Sequence, residues 1–389
     1  MRQLAKRVLA VTVGIVAGLL LAEVALRVAA LLGIDAGVRI ARRDPSAFLY
    51  EPFGNFGYRE RPGRHERYEN GTVANFNAGG YRGPIVDTTK APGTYRIVLL
   101  GGSTMFGYGV NDEDTIDAHM RRLLTARYPN RCFEVVNLAL GGYDSYQDYE
   151  RMRVDGARFT PDLVVLNSGI NDVRNAQYAR LGDPPDPRTL FWEPVMHTMR
   201  EEARDGLRFI TRAKHYSYLV RIPGYVKEVM GQRQGLTLIR ATEPDGSAVE
   251  YFGVNVTRTI DLAAGVGAAV ILSKPPSALP MRNRPSDPLE KSYWLRDAGT
   301  TEAYRQRLAV RMREIAERER AVGRRVRYVE PQLPLDAFLD DAHLNSAGNE
   351  RMAHHFLEAA APFIGPTVAS AAGAAAACWR PLPQSARHE

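Results

Sequence analysis

Three residues of the sequence have the types and spacing of a nucleophilic catalytic triad. Ser103 comes directly after an apolar run, residues 97–100, that two glycines end, and Asp340 and His343 stand close together towards the C-terminus. A serine hydroxyl becomes a nucleophile when a base removes its proton, and an imidazole base needs a carboxylate to fix its tautomer. The three-residue separation allows one loop to carry Asp340 and His343 together. This set predicts attack of Ser103 on an acyl carbon.

Acyl transfer also requires hydrogen-bond donors for the oxyanion that develops on the carbonyl. Gly142 offers a backbone N–H that no side chain obstructs, Asn171 offers a side-chain amide, and Ser103 offers its own N–H. Each residue alone has an ordinary structural interpretation, such as a turn at Ser103 or a helix cap at Asn171. Their positions at the ends of separate predicted strands favour the catalytic interpretation.

An alternation of strands and helices positions these residues. Strands are predicted at residues 96–100, 133–138, 163–167, 268–272 and 326–329, and helices at 116–128, 146–158, 302–321 and 347–363. Such alternation predicts a parallel sheet with right-handed crossovers and helices on both faces. Ligands of open α/β sheets bind beyond the carboxyl ends of the strands, so we expect the candidate residues to meet at that edge.

Four short blocks of the sequence resemble the SGNH (GDSL-like) hydrolase superfamily of esterases and lipases. The blocks are GGST at 101–104, NLALGGY at 137–143, GIND at 169–172 and DDAH at 340–343. Gly142 is the glycine that matches the second block, with Gly141 as the alternative. Gly102 stands where the family usually has an aspartate, at a position outside the triad.

The resemblance implies a flavodoxin-like, three-layer α/β fold with a five-stranded parallel sheet. It implies the same triad of Ser103, Asp340 and His343, an oxyanion hole formed by Ser103, Gly142 and Asn171, and no cofactor. The N-terminus and the segment at residues 77–83 also resemble membrane-anchored bacterial members of the superfamily.

The N-terminus has the pattern of a membrane anchor. Three basic residues precede an uncharged run at residues 8–22, and Glu23 and Arg27 can then pair on one helix face. A helix over residues 8–33 would be about 39 Å long, which is enough to span a bilayer. The basic flank predicts a cytoplasmic N-terminus and a catalytic domain in the periplasm or outside the cell. A cleaved signal peptide is the alternative.

Composition divides the chain into further segments. Residues 1–34 hold the anchor, 35–93 a Gly/Pro/aromatic-rich linker or small β-rich segment, 94–365 the hydrolase domain, and 366–389 a loose C-terminal tail. The strand–helix alternation breaks at about 173–264, which predicts a partly helical insertion that could shape or cover the site.

Several other classes of protein and site are not expected. The net charge of +7 comes from basic residues scattered among acidic ones, without a nucleic-acid motif, so no nucleic-acid partner is expected. No Cys-x-x-Cys occurs, and the adjacent His354 and His355 would point about 100° apart on a helix, so no metal site is predicted. We expect Cys132 and Cys378 not to form a structural disulfide.

These observations predict a membrane-anchored serine esterase that hydrolyses an acyl ester, for instance an O-acetyl group, on a cell-envelope glycan or lipid. The substrate follows from location alone, because the fold and the triad determine the reaction type but not the acyl or alcohol group. Two alternatives keep the same fold: transfer of the acyl group to a sugar hydroxyl at the same site, or a catalytically inactive envelope scaffold.

Overall fold

The computed structural model describes residues 2–31, 50–52, 58–68, 70–174, 217, 219–220, 246–281 and 298–365. The chain forms two units. The N-terminal unit comprises Met1–Phe48 with Thr198–Leu238, and the larger unit comprises Leu49–His197 with Ile239–Glu389. The predicted tail at 366–389 lies outside the described residues, as does most of the predicted insertion at 173–264.

The N-terminal unit contains one long apolar helix, α1 (Arg2–Leu31). Its segment Lys6–Val28 spans 23 residues with a mean hydropathy of 2.4, and its large apolar side chains are exposed. Such a helix is compatible with a single membrane anchor or with a signal sequence. Arg27 Nε donates a hydrogen bond to Glu23 at 3.0 Å, so the two charges are paired as the sequence predicts.

Two short antiparallel strand pairs precede the main sheet. They are β1 (Tyr50–Pro52) with β2 (Tyr58–Glu60), and β3 (His65–Arg67) with β4 (Val73–Asn75). Aromatic side chains of this part of the chain are buried in the larger unit. The Phe76 ring packs 6.1 Å from Phe106, and the Tyr81 ring packs 5.9 Å from Phe159.

The core of the larger unit is a five-stranded parallel sheet. Its strands are β5 (Thr94–Gly101), β6 (Cys132–Asn137), β7 (Leu163–Asn167), β8 (Ala269–Ser273) and β9 (Val326–Val329). They are arranged in the order β6-β5-β7-β8-β9, with Val98 of β5 opposite Val136 on one side and Val164 on the other. The central strands are buried on both faces, which explains their continuous apolar sequences.

Helices cover the sheet in two groups. A single turn, α2 (Ser103–Phe106), follows β5. In one group α3 (Ile116–Arg127) packs against α7 (Ser346–Ile364). In the other group α5 (Gly246–Gly265) packs against both α4 (Ser145–Val154) and α6 (Ala298–Ala321). Side-chain caps begin several of them: Asp144 forms a capping box with Gln147 at α4, and Asn345 accepts from Gly348 N at α7. The predicted α/β fold with a parallel five-stranded sheet is confirmed.

Arg82 connects the strand pairs to the chain that follows β5. Its guanidinium is 1% exposed and donates to the carbonyl oxygens of Gly107 and Val110, each at 2.5 Å, and to Asp112 at 2.6 Å. A buried guanidinium is tolerated when its donors have such partners. The loop after α2 is therefore held by a side chain from the preceding segment.

Cys132, at the start of β6, is disulfide-bonded. The expectation that the chain forms no structural disulfide is therefore wrong. The chain's one other cysteine is Cys378, which lies outside the described residues. A disulfide depends on the separation and direction of two side chains, which the sequence around each cysteine does not encode.

Glu60 of β2 and Arg151 of α4 form a buried ion pair with a separation of 3.3 Å. Burial raises the pKa of the Glu60 carboxyl to about 7, because the loss of hydration outweighs the attraction of Arg151. The carboxyl is therefore largely neutral below this pH and carries a buried charge above it.

We expect Glu60 to make the folded protein less stable as the pH rises through about 7. A group whose pKa is higher in the folded than in the unfolded state stabilises the fold below its unfolded pKa, here 4.5, and loses that contribution as the pH passes the folded pKa. Melting temperatures of the full chain between about pH 5 and 8 should fall less steeply for Glu60→Gln than for wild type. Glu358→Gln, at a side chain that is 67% exposed, is the control. Identical slopes for wild type and Glu60→Gln would contradict the prediction.

Candidate active site

Ser103 begins α2 directly after β5. Two glycines allow the chain to turn here. Gly101 has a φ of +152°, and a Cβ built on it would lie 2.5 Å from the carbonyl oxygen of Asn167 in β7. A side chain at position 101 would therefore push β5 and β7 apart. The turn presents the half-buried Ser103 at the carboxyl edge of the sheet.

A continuous hydrogen-bonded chain joins Asp340, His343 and Ser103. His343 Nε2 lies 2.8 Å from Ser103 Oγ, and His343 Nδ1 lies 2.5 Å from Asp340 Oδ2. Because an ionised carboxylate only accepts, Nδ1 carries the hydrogen and Nε2 is left to accept from the serine hydroxyl. This arrangement can activate a serine for attack on an acyl carbon.

Asp340 is held in its ionised form. Burial raises the pKa of its carboxyl, but the hydrogen bond and charge of His343, together with two backbone N–H groups, outweigh burial and bring the pKa below its ordinary value. The backbone donors are Ala342 N at 2.8 Å and His343 N at 2.7 Å from Oδ1. An ionised Asp340 can stabilise the imidazolium that forms when His343 takes a proton.

The loop after β6 places Gly141, and with it the adjacent Gly142, near Ser103. Leu140 N donates to Gly101 O at 3.0 Å, which attaches this loop to the end of β5. A Cβ built on Gly141 would lie 4.0 Å from Ser103 Cβ, so the peptide between Gly141 and Gly142 borders the serine. Gly142 has a φ of +84°, a conformation that favours glycine.

Asn171 reaches the same place from the loop after β7. Its side-chain amide is buried and donates to Tyr143 O at 2.9 Å. A Cβ built on Gly102 would lie 2.5 Å from Asn171 Nδ2. Glycine at position 102 therefore leaves room for this amide beside Ser103. All the residues that the sequence predicts for the site thus lie at one edge of the sheet.

Asp148 of α4 is a further buried carboxyl near the end of β5. Burial raises its pKa well above the ordinary value, and the nearby Asp144 and Asp172 raise it further. Burial thus disfavours a negative charge on Asp148 close to the turn where an oxyanion would have to be stabilised.

Three tyrosines at or near the site were not predicted from the sequence. The Tyr108 ring lies 4.5 Å from the His343 ring, and the Tyr68 ring lies 4.6 Å from Tyr108. Tyr58 reaches the Gly142 loop from β2, where its hydroxyl donates to Gly141 O at 2.8 Å. No period or spacing in the sequence sets any of the three apart from tyrosines that only pack.

A metal centre is not evident in the part of the chain that the structure describes, because no three His, Cys, Asp or Glu side chains there lie close enough to hold an ion. His354 and His355 are exposed on α7.

The sequence matches one family of known proteins. The sequence model of the GDSL-like lipase/acylhydrolase family matches residues 99–351. Similar solved structures include a GDSL-like lipase from Bacteroides thetaiotaomicron, at 15% identity over 68% of this chain and 86% of that one, with a TM-score of 0.37. An acetylxylan esterase from Geobacillus stearothermophilus is 15% identical over 71% of this chain and 97% of that one, with a TM-score of 0.38. No curated protein matches the sequence.

Gly142→Ala tests the loop beside Ser103. The new methyl group would require a strained φ of +84° and would lie 2.7 Å from the Tyr58 hydroxyl, so the peptide should move away from the serine. We expect kcat for an acyl ester to fall roughly 100-fold, the scale of losing one oxyanion donor. Gly323→Ala is the control, because Gly323 has a φ of +85° with nothing within 4 Å of the added Cβ. Equal kcat values for the two variants would contradict the assignment.

Proposed function

The chain belongs to the family of GDSL-like lipases and acylhydrolases and is a carboxylic ester hydrolase, and we propose that it works through a triad of Ser103, His343 and Asp340. The observation that supports this best is the pair of hydrogen bonds through His343, 2.8 Å to Ser103 Oγ and 2.5 Å to Asp340 Oδ2. In this triad Ser103 is the nucleophile, His343 the base, and Asp340 the carboxylate that orients the imidazole.

In the proposed reaction Ser103 Oγ attacks the acyl carbon while His343 Nε2 takes its proton. The N–H groups of Ser103 and Gly142 and the Asn171 amide donate to the tetrahedral oxyanion. His343 then returns the proton to the leaving alkoxide, and the acyl group remains on Ser103. Water, deprotonated by His343, then attacks the acyl carbon of this acyl-enzyme. The bond to Ser103 Oγ breaks, the carboxylic acid leaves, and His343 returns its proton to Ser103 Oγ.

We propose that the alcohol part of the ester belongs to a cell-envelope glycan or lipid. His343 must protonate the leaving oxygen, so the alcohol lies on the side of the imidazole. Tyr108 is 41% exposed against this imidazole, and Leu339 nearby is 44% exposed. An aromatic ring with an apolar body and a polar edge suits a substrate that presents both C–H and hydroxyl groups.

We further propose that α1 anchors the protein and that the larger unit lies outside the cytoplasmic membrane. The uncharged apolar run at residues 8–22, within the Lys6–Val28 segment, follows three basic residues, the arrangement that retains an N-terminus in the cytoplasm. The disulfide at Cys132 supports the same side, because structural disulfides persist in oxidising compartments.

The triad is tested with a fluorophosphonate probe on the full-length chain in detergent. The probe should form an adduct on Ser103 that mass spectrometry locates, and the adduct should be lost in Ser103→Ala and in His343→Ala. Asp340→Asn should lower kcat about 10³- to 10⁴-fold, because its amide no longer favours the correct imidazole tautomer. Asp336→Asn, at a surface side chain that is 76% exposed, is the matched control and should keep full activity.

Retained ester turnover in folded Ser103→Ala would overturn the proposed mechanism. Product analysis with an added sugar acceptor separates hydrolysis from transfer, since only transfer yields an acylated acceptor. A wild-type chain that is folded, unlabelled and inactive towards esters would favour the inactive scaffold.

The proposed topology is tested on cells that make the full chain. We expect the mature protein to retain its first residues, to resist extraction from membranes with alkaline carbonate, and to be digested by protease added to spheroplasts. A mature N-terminus beyond residue 28 would indicate a cleaved signal sequence instead. Protection from the added protease would contradict the proposed orientation.

A further inference from the structure

Tyr58 lies outside the sequence blocks that form the site, yet its hydroxyl contacts the loop that borders the nucleophile. Tyr58 Oη donates to Gly141 O at 2.8 Å. The donor comes from β2 and the acceptor from the loop after β6, so the contact joins parts of the chain that are 83 residues apart. The Tyr58 side chain is 3% exposed, and the contact is therefore shielded from water.

The hydrogen bond acts on the peptide group that matters for the oxyanion. Gly141 C=O and Gly142 N–H belong to the same peptide unit, and a trans peptide is planar with these two groups pointing in opposite directions. Holding the carbonyl oxygen therefore sets the direction of the N–H. A donor at the carbonyl also polarises the peptide, which makes its N–H a stronger donor.

Glycine at position 142 increases the need for such a restraint. A glycine with a φ of +84° has access to many other conformations, because no Cβ limits it. The Tyr58 hydroxyl occupies the space that a side chain would need, 2.7 Å from a Cβ built on Gly142. Tyr58 thus packs against one side of the peptide and bonds to its oxygen.

Tyr58 is itself held in place from the loop that it restrains. Tyr143 Oη donates to Tyr58 O at 2.5 Å, and the two rings meet edge to face with centroids 5.5 Å apart. Two residues further along β2, the buried Glu60 pairs with Arg151 of α4. The backbone and the side chain of Tyr58 are therefore both fixed relative to the site.

We propose that Tyr58 is a positioning residue that aims the Gly142 N–H at the oxyanion, so that the segment before the main sheet completes the active site. This inference rests on the proposed function, in which Gly142 N–H is one of the oxyanion donors. Tyr58 acts through the peptide and does not touch the reacting atoms.

The test compares Tyr58→Phe with Tyr81→Phe in the full-length chain in detergent. Phenylalanine at 58 keeps the ring and removes the bond to Gly141. Tyr81 is a matched control: it is equally buried in the same segment, and its hydroxyl accepts from Val86 N at 2.7 Å within that segment. The readouts are kcat and KM for p-nitrophenyl acetate, inhibition by phenylboronic acid, which forms a tetrahedral adduct with an active serine, and the melting temperature.

We expect Tyr58→Phe to lower kcat roughly 10- to 100-fold with a KM within about threefold of wild type, and to weaken phenylboronic acid inhibition by a similar factor, because only the tetrahedral state uses the donor. Tyr81→Phe should lower the melting temperature by a comparable amount and keep kcat. Equal kcat losses in the two variants would overturn the inference, since the segment would then contribute stability alone.

Failure of this inference and failure of the proposed function give different results. If the wild type forms the Ser103 adduct and Tyr58→Phe retains kcat and inhibitor affinity, the inference is wrong and the triad stands. If the wild type forms no adduct and hydrolyses no ester, the proposed function is wrong, and the inference is wrong with it.

Discussion

The hydrogen bond between His343 Nε2 and Ser103 Oγ is the constraint on which the arrangement of the larger unit depends. It joins residues that are 240 positions apart, so the fold has to bring the two ends of the unit together. A parallel sheet does so because the carboxyl ends of all its strands meet at one edge. The strand order completes the site: β5 lies between β6 and β7, and the turns that follow these three strands carry Ser103, Gly142 and Asn171.

His343 and Asp340 reach this edge from further away. β9 is separated from β5 by β7 and β8, so the loop after β9 has to cross the ends of both intervening strands. Two contacts support the crossing: Ala278 N, after β8, donates to Asp341 O at 2.9 Å, and Thr104 Oγ1 donates to Ala342 O at 3.2 Å. The imidazole is thus held by its own loop, by the neighbouring loop and by the turn of the nucleophile.

Local sequence patterns were sufficient for the sheet and for the candidate site residues. Buried parallel strands produce continuous apolar runs, and the site residues stand in short blocks just beyond them. Arg82 and Tyr58 could not be identified in this way, because both bond to backbone carbonyl oxygens of distant loops. Every residue has a backbone carbonyl, so the sequence does not indicate which carbonyl will accept such a hydrogen bond. The Cys132 disulfide depends in the same way on spatial proximity that no local pattern records.

The larger unit extends further towards the N-terminus than the strand–helix alternation indicates. Strand–helix alternation starts at residue 94, yet a chain cut there would lose Arg82, leaving the carbonyl oxygens of Gly107 and Val110 without these buried donors. It would also lose the ring of Phe76 that packs on Phe106, the last residue of α2. Unsatisfied buried polar groups are costly, so the loop after α2 would have to rearrange. The unit therefore begins where its buried polar groups find their partners, and this lies before its first periodic strand.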